Sequence, residues 1–438
     1  MPGERTSPRD VFRAPKGTHD VLPPESRRFA AFVEAFAARA ERFGYGLAVT
    51  PLFEHLEVFL RVGESTDVVT KEMYELEDKG GRRLALRPEG TASVVRAFVE
   101  HRPSEPWKVF YSAPNFRYER PQKGRYRQHW QVGAEVVGAP DPDLDVEVVD
   151  LAAGFFASLG LSRVRLKLNS MGDAESRRGY VTRLREFLAP HVATLGDDFG
   201  RTLAENPLRV LDSKDPAVID VVERAPQLPE HLTPPAAAHF EQVQAGLRAL
   251  GIPFELDPRL LRGFDYYTGT TFEFAADSLD AAQDAIGGGG RYDGLAAAMA
   301  GPDVSGIGFG IGIERALLAC DAEGVFAAAA PPLDVFVVDR RLDATSAEAA
   351  VLLHELRVEG LSVEKAYGGR SEKTQWKLAA RHAARFTVVL ESGAGELTVR
   401  ERSTGEEHKV PRELVVGWLF ERATGPGPGS AAGSERRR

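Results

Sequence analysis

Between residues 115 and 131, five cations (Arg117, Arg120, Lys123, Arg125 and Arg127) surround one acid, Glu119, a local balance of +4. The run FRYERPQKGRYRQHWQ reads as strand, Pro-Gln-Lys-Gly loop and strand, a hairpin presenting a basic turn. Two-residue alternation puts Arg117 and Glu119 on one face of the first strand. A guanidinium there can hold a phosphate through paired hydrogen bonds, while the adjacent carboxylate orients a metal or an amino group. The same charges would also suit a solvated edge hairpin.

Three further segments carry chemistry-bearing residues. In LLRGFDYYTGTTFEF (260–274), Arg262, Asp265, Tyr266 and Tyr267 precede a β-rich run. They suit a pocket that hydrogen-bonds a small polar ligand, or equally a core edge beside a surface ion pair. In the segment 287–319, Gly287–Gly290 allows close backbone approach, and a second glycine run, 306–312, feeds a helix with Glu314 and Arg315 at its start. This is neither a Walker loop nor a GxGxxG within a βαβ unit, but the strand–helix junction can aim Arg315 at a triphosphate. Cys320, on the apolar side of that helix, reads as core. In LRPEGTAS (86–93), Glu89 and Thr91 can capture an ammonium group, or simply start a helix.

These residues need a scaffold. Residues 25–43 read as an amphipathic helix with Phe29, Phe32, Val33, Phe36 and Ala40 on one face. It is followed by strand-like LAVTP ending at Pro51. Strand patterns at 83–87, 107–112, 129–137 and 163–168 lack a regular βαβ spacing, which favours a largely antiparallel sheet flanked by helices. A helix-rich stretch at about 172–252 reads as an insertion. After Pro331, strands and helices alternate (LDVFVVD, 345–358, LSVEKAY, 371–384, FTVVLES, ELTVRER, 411–422), as in a compact α/β domain. The expected division is 1–330, 331–422 and a disordered tail, 423–438, with little to bury.

Composition limits the function. Of 438 residues, 43% are apolar and 27% charged, ordinary globular values, and no apolar run approaches the ~20 residues of a membrane span. One cysteine excludes an intramolecular disulfide and a cysteine-rich zinc site, so no side-chain cluster is expected to bind metal. The start, MPGERTSPRD, lacks a secretory apolar region, and a cytoplasmic protein is expected. A net charge of −9 argues against a generic nucleic-acid coat but allows local basic patches.

Taken together, the four segments resemble the histidyl-tRNA synthetase family of class II aminoacyl-tRNA synthetases, from KGTHDVLPPE (16–25) to about residue 422. LLRGFDYYTGTTFEF and GGGGRYDGL are similar to the family's two histidine signatures. The helix–strand ending at Pro51, FRYER…QVGAE and GIGFGIGIER are similar to class II motifs 1, 2 and 3. The resemblance implies a class II α+β catalytic domain with an antiparallel sheet, a helical insertion and a C-terminal α/β anticodon-binding domain. The implied reaction is ATP-dependent ligation of L-histidine to tRNA(His), with Mg2+ accompanying ATP, in a homodimer.

By resemblance, Arg117 binds the α-phosphate of ATP and Arg262 sits across from it, both catalytic. Glu119 lies near the adenine amino group or magnesium, Arg315 holds the γ-phosphate, and His129 stacks on adenine. The family commonly has an aromatic at 129 followed by His, where this chain has His129–Trp130. Glu89, Thr91 and Gln131 receive the α-amino group; Glu135, Tyr267 and Tyr292 grip the imidazole, with Arg262 and Tyr266 beside them. Arg120, Gln122, Arg125 and Arg127 face the tRNA acceptor end. Residues 357–385, with seven cations against three acids, resemble the family's anticodon-binding surface. A non-catalytic regulatory subunit of histidine biosynthesis and a tRNA-sensing module share parts of this pattern. The first generally lacks the C-terminal domain; the second is attached to a kinase segment absent here.

Overall fold

The structure, a computed structural model, describes residues 12–63, 67–213, 215–260, 266–280, 284–327, 333–341, 347–391 and 395–424. The chain divides into two compact units, Met1–Ala328 and Ala329–Arg438. The expected disordered tail lies, from 425 on, outside the described residues; 423 and 424 close the last helix.

The first unit begins with α1 (Glu25–Arg42), β1 (Gly46–Leu47), β2 (Phe53–His55), α2 (Leu56–Gly63), α3 (Asp67–Lys71), β3 (Tyr74–Glu77), β4 (Arg83–Leu86) and α4 (Thr91–His101). The hairpin β5 (Trp107–Phe116) and β6 (Gln128–Val137) follows, then α5 (Pro142–Ser158) and β7 (Val164–Ser170). The stretch expected to be helical holds α6 (Ala174–Leu188), α7 (Val192–Leu195), α8 (Asp197–Glu205), α9 (Pro216–Val222) and α10 (Pro234–Ala249). Its core of Tyr180, Leu184, Leu188, Phe199 and Leu203 is its own, but α10, expected within the insertion, packs Phe240, Val243 and Leu247 into the main core instead. Then come β8 (Glu255–Leu256), β9 (Thr268–Ala276), β10 (Ala285–Arg291), α11 (Leu295–Ala298), β11 (Gly306–Gly312) and α12 (Ile313–Glu323).

Eight strands form one sheet in the order β1-β5-β6-β11-β10-β9-β7-β8. Only the β1–β5 and β7–β8 edge pairs are parallel, so the expected antiparallel character holds. One face carries the core. Phe32 and Phe36 of α1 meet Phe155 of α5 edge-on at 5.0 and 5.1 Å, over Val132, Ala134, Ile307, Phe309 and Ile311 from β6 and β11. Alternation along β6 and β11 turns His129, Gln131 and Glu135, with Gly306, Gly308, Gly310 and Gly312, to the opposite face. His129 and Gln131 therefore face an open part of this sheet surface, while Glu135, farther along β6, is buried.

Two readings change. β5 ends at Phe116, so Arg117 and Glu119 sit in the loop after it rather than on a strand face. The sheet β2-β4-β3 includes strands of three and four residues, β2 and β3, too short to show a pattern.

The second unit has strand order β13-β12-β14-β15-β16, from β12 (Val335–Asp339), β13 (Val363–Lys365), β14 (Phe386–Leu390), β15 (Glu396–Glu401) and β16 (Glu407–Pro411), with α13 (Ala347–Val358), α14 (Glu372–Arg381) and α15 (Val415–Thr424). β12 runs parallel to both neighbours, and its core packs Val335, Val337, Leu352 and Val388. The sequence reading placed a helix from 411; instead the edge strand β16 ends there and α15 starts at Val415. Only Val410 of that strand is buried, which hides it from periodicity.

Candidate active site

The open sheet face holds a cavity of about 270 Å3. Its floor is strand backbone: Gly310 and Gly312 of β11 and Gly287 and Gly288 of β10. The glycine runs are thus strand rather than phosphate loop, and their lack of side chains makes the space. A Cβ built at Gly308 would overlap the Glu135 carboxylate, and one at Gly306 the Tyr292 ring.

One end of the cavity is cationic. Arg117 Nε donates to the Pro88 carbonyl at 2.9 Å, which aims its guanidinium from the loop after β5. Arg315, in the first turn of α12, donates to the carbonyls of Gly124 (3.1 Å) and Ala285 (2.9 Å). Burial, then the neighbouring Arg125 guanidinium, holds Arg315 below its ordinary pKa, with Glu119 opposing. Such neutral anchors orient the guanidiniums without spending their charge. His129 lines the same end; burial first, then Arg117 and Arg315, drives its pKa down to about 3, so the ring is neutral. Trp130, one residue on, faces the core and packs edge-on to Phe29 at 5.3 Å. Register thus gives the cavity His129.

Glu119 and Arg125 both line this end and form an ion pair at 2.9 Å. Of the four residues expected at the tRNA acceptor end, Arg120 and Gln122 are exposed on the hairpin loop. Arg125 turns into the cavity instead. Arg127 lies over the Tyr118 ring at 3.8 Å, its backbone N–H bonded to Gly17.

Acidic and hydroxyl groups line the same cavity, beginning beside the Pro88 carbonyl that holds Arg117. Glu89 is buried; its oxygens accept the backbone N–H groups of Thr91 (2.6 Å) and Ala92 (2.7 Å) at the start of α4. Burial raises its pKa, with those N–H groups and Arg117 opposing. Thr91, Gln131, Tyr266 and Tyr267 line the wall, the two tyrosine rings 4.7 Å apart. Asn115, fully buried, donates to Gln131 Oε1 at 2.6 Å.

Glu135 and Tyr292, expected against the imidazole, do not line the cavity but lie behind its wall. The Glu135 carboxylate already accepts from the hydroxyls of Thr91 (2.7 Å), Tyr292 (2.7 Å) and Tyr111 (3.5 Å). Thr91 and Tyr111 do line the cavity and present this carboxylate to it at second hand. Burial lifts the Glu135 pKa to about 8. Arg262 lies outside the described residues.

Sequence reasoning assigned no role to Tyr111, Tyr126 or Glu314, all of which line the cavity. Both Glu314 oxygens accept the Trp130 backbone N–H (3.0 and 3.1 Å), and burial lifts its pKa to about 7. Its position beside Arg315 in GIGFGIGIER was the available signal. Among the described residues, no group of three or more His, Cys, Asp or Glu could hold a metal ion, and no helix is long and apolar enough to cross a membrane.

The chain is similar to known proteins. A family model described as histidyl-tRNA synthetase matches residues 17–316. A histidine–tRNA ligase of Nocardia farcinica is 49% identical over 415 residues, covering 93% of this chain and 97% of that protein. The Mycobacterium tuberculosis histidine–tRNA ligase is 47% identical over 421 residues, covering 94% and 99%. The crystal structure of apo histidyl-tRNA synthetase from S. aureus superposes with a TM-score of 0.80 at 35% identity, covering 94% of this chain and all of that one.

Proposed function

The chain belongs to the histidyl-tRNA synthetase family, and we propose how its cavity divides the work of an ATP-dependent histidine–tRNA ligase with the class II fold. The observation that carries the proposal is the lining of one cavity by both signs of charge: the anchored guanidiniums of Arg117 and Arg315, and the buried Glu89 carboxylate beside the Pro88 carbonyl that Arg117 grips. A triphosphate suits the guanidiniums and an amino acid's ammonium group the carboxylate.

In the first step, a histidine carboxylate oxygen attacks the α-phosphorus of ATP and pyrophosphate leaves. Negative charge builds on the equatorial oxygens, where Arg117 and Arg262 stabilise it without a proton donor or covalent enzyme intermediate. Arg315 holds the γ-phosphate. Neutral His129 stacks on adenine, and Glu119 meets its amino group. In the second step, a hydroxyl of the tRNA 3′-terminal ribose attacks the adenylate carbonyl and AMP departs. Glu89, Thr91 and Gln131 take the ammonium group. The imidazole lies against Tyr267, with Glu135 fixing the hydroxyls of Thr91 and Tyr111 that its nitrogens meet. A ligand without a ring N–H would leave those hydroxyls mismatched, which costs more than a missing methylene.

Mg2+ prefers oxygen ligands, and Glu314 fits it: both carboxylate oxygens share one N–H, which leaves lone pairs toward the cavity. When bound, the ion would neutralise phosphate charge, with Glu314 holding it.

The tRNA(His) acceptor end approaches over Arg120 and Gln122, and residues 331–422 read the anticodon. Leu47, Val49, Leu52 and Phe53, exposed beside the edge strand β1, suit a homodimer contact in the cytoplasm. Pyrophosphate exchange with each amino acid in turn tests the whole reading. Exchange with histidine alone supports it, and exchange with another amino acid, or with none, overturns it.

A further inference from the structure

The second histidine signature contains an arginine with no role in the reaction above. Arg291, at the end of β10, is 2% exposed. Its guanidinium donates to both Asp145 oxygens, to the carbonyls of Asp141 (3.2 Å) and Ala139 (3.5 Å), and to Asp293 (3.4 Å). Asp145, fully buried in the first turn of α5, is held below the ordinary carboxylate range, against the effect of burial, by its hydrogen bonds to His239 and to Arg291. A buried ion pair contributes little net stability and is chiefly expensive to break, so its presence asks for another explanation.

The explanation lies in what the pair joins. Ala139 and Asp141 belong to the chain leaving β6, the strand that carries Glu135. Tyr292 follows Arg291 directly, and its hydroxyl meets Glu135 at 2.7 Å. Tyr292 and Asp293 are pinned to Gly306 by backbone and side-chain bonds of 2.8 and 3.3 Å. Arg291 therefore sets the spacing between the β6 exit and the tyrosine that holds the Glu135 carboxylate. The second partner of Asp145 is His239 Nε2, at 3.2 Å. His239 lies on α10, 94 residues away, the helix that follows the insertion's own core and packs Phe240, Val243 and Leu247 into the main core.

We propose that Arg291 is a positioning residue for the amino-acid pocket, and that His239, through Asp145, ties α10 to it. The inference rests on reading the Glu135–Tyr292 side of the cavity as the histidine subsite. It implies that a shift of α10 is felt by histidine rather than by ATP, since the chain His239–Asp145–Arg291–Tyr292–Glu135 ends behind the hydroxyl-rich wall.

The test is histidine-dependent pyrophosphate exchange on the full chain, with KM measured separately for histidine and ATP. His239→Phe is expected to raise KM for histidine at least threefold and leave KM for ATP unchanged. His239→Gln, which can still donate to Asp145, should restore the wild-type value. The double variant R291M/D145L removes both buried charges together and should raise KM for histidine at least tenfold. Half-buried His239 keeps the first two variants foldable, so that pair decides if the double variant does not fold. An unchanged histidine KM in His239→Phe, equal impairment by Phe and Gln, or a parallel rise in both KM values would overturn the proposal. Failure of the wild type to exchange with histidine would instead sink the reading of the pocket.

Discussion

The Tyr292 hydroxyl donates to Glu135 at 2.7 Å across 157 residues of sequence, behind the cavity rather than in it. The carboxyl held there carries a pH signature. Burial raises its pKa from 4.5 to about 8, so the folded chain binds this proton more tightly than the unfolded chain. The resulting stabilisation is complete below pH 4.5 and is lost as pH rises toward 8. Glu135→Gln has no such proton to lose. The Tm of the variant minus that of the wild type should therefore grow between about pH 5 and 8 and level off above. The gradient is at most ~1.4 kcal/mol per pH unit. A difference independent of pH would show that Glu135 titrates normally.

Arg117 and Arg315 should separate kinetically. Arg117→Ala removes charge from the reacting phosphorus and is expected to slow single-turnover adenylate formation ~100- to 1,000-fold, the equivalent of ~3–4 kcal/mol. Arg262→Ala should match it. Arg315→Ala acts on the leaving pyrophosphate and should also raise KM for ATP. Near-wild-type single-turnover rates in the Arg117 or Arg262 variant, with circular dichroism unchanged, would remove that residue from the chemistry.

The ring pair His129–Trp130 gives opposite expectations on adjacent residues. His129→Ala should weaken ATP by roughly tenfold, since base stacking on a ring is worth ~1–3 kcal/mol, and His129→Phe should keep most of the affinity. Trp130→Ala should lower Tm and leave KM for ATP nearly unchanged, because that ring packs on Phe29. Isothermal titration with ATP distinguishes the two.

Much of this site was legible in the sequence, for an identifiable reason. Arg117, Glu119, His129 and Arg315 lie in short runs whose charge density or strand–helix junction is visible locally. The depth of each residue was not visible. Glu135 sits behind the wall because Gly306 and Gly308 on the neighbouring strand leave room for it and for Tyr292, a pairing between β6 and β11 that no local pattern encodes. Arg125 likewise turns inward because Glu119 waits across a tight loop closed by the Gln122–Arg125 bridge. The ten-residue strands β5 and β6 were found, and so was four-residue β4 at 83–87, whereas β2 and β3 were missed, since alternation needs length to show.

Removing residues 331–438 should leave adenylate formation largely intact and reduce tRNA charging at least tenfold. The first unit has its own sheet and core, and the basic run 357–385 goes with the second. Aminoacylation of tRNA(His) transcript beside pyrophosphate exchange reads both effects. Undiminished charging would show that anticodon reading lies elsewhere.

Gly308→Ala is expected to lower Tm and to raise KM for histidine, since the added methyl overlaps Glu135 and overpacking costs ~1–3 kcal/mol. Wild-type values for both would mean that the carboxylate moves aside freely.

The bare strand β11 also gives drift at this site a direction. Glycine is the smallest residue, so any replacement at 310 or 312, which floor the cavity, adds bulk and none can subtract it. Inheritable variation there can only constrict the chamber. A broader diet of substrates would have to come from trimming Tyr111 or Tyr267 on the opposite side.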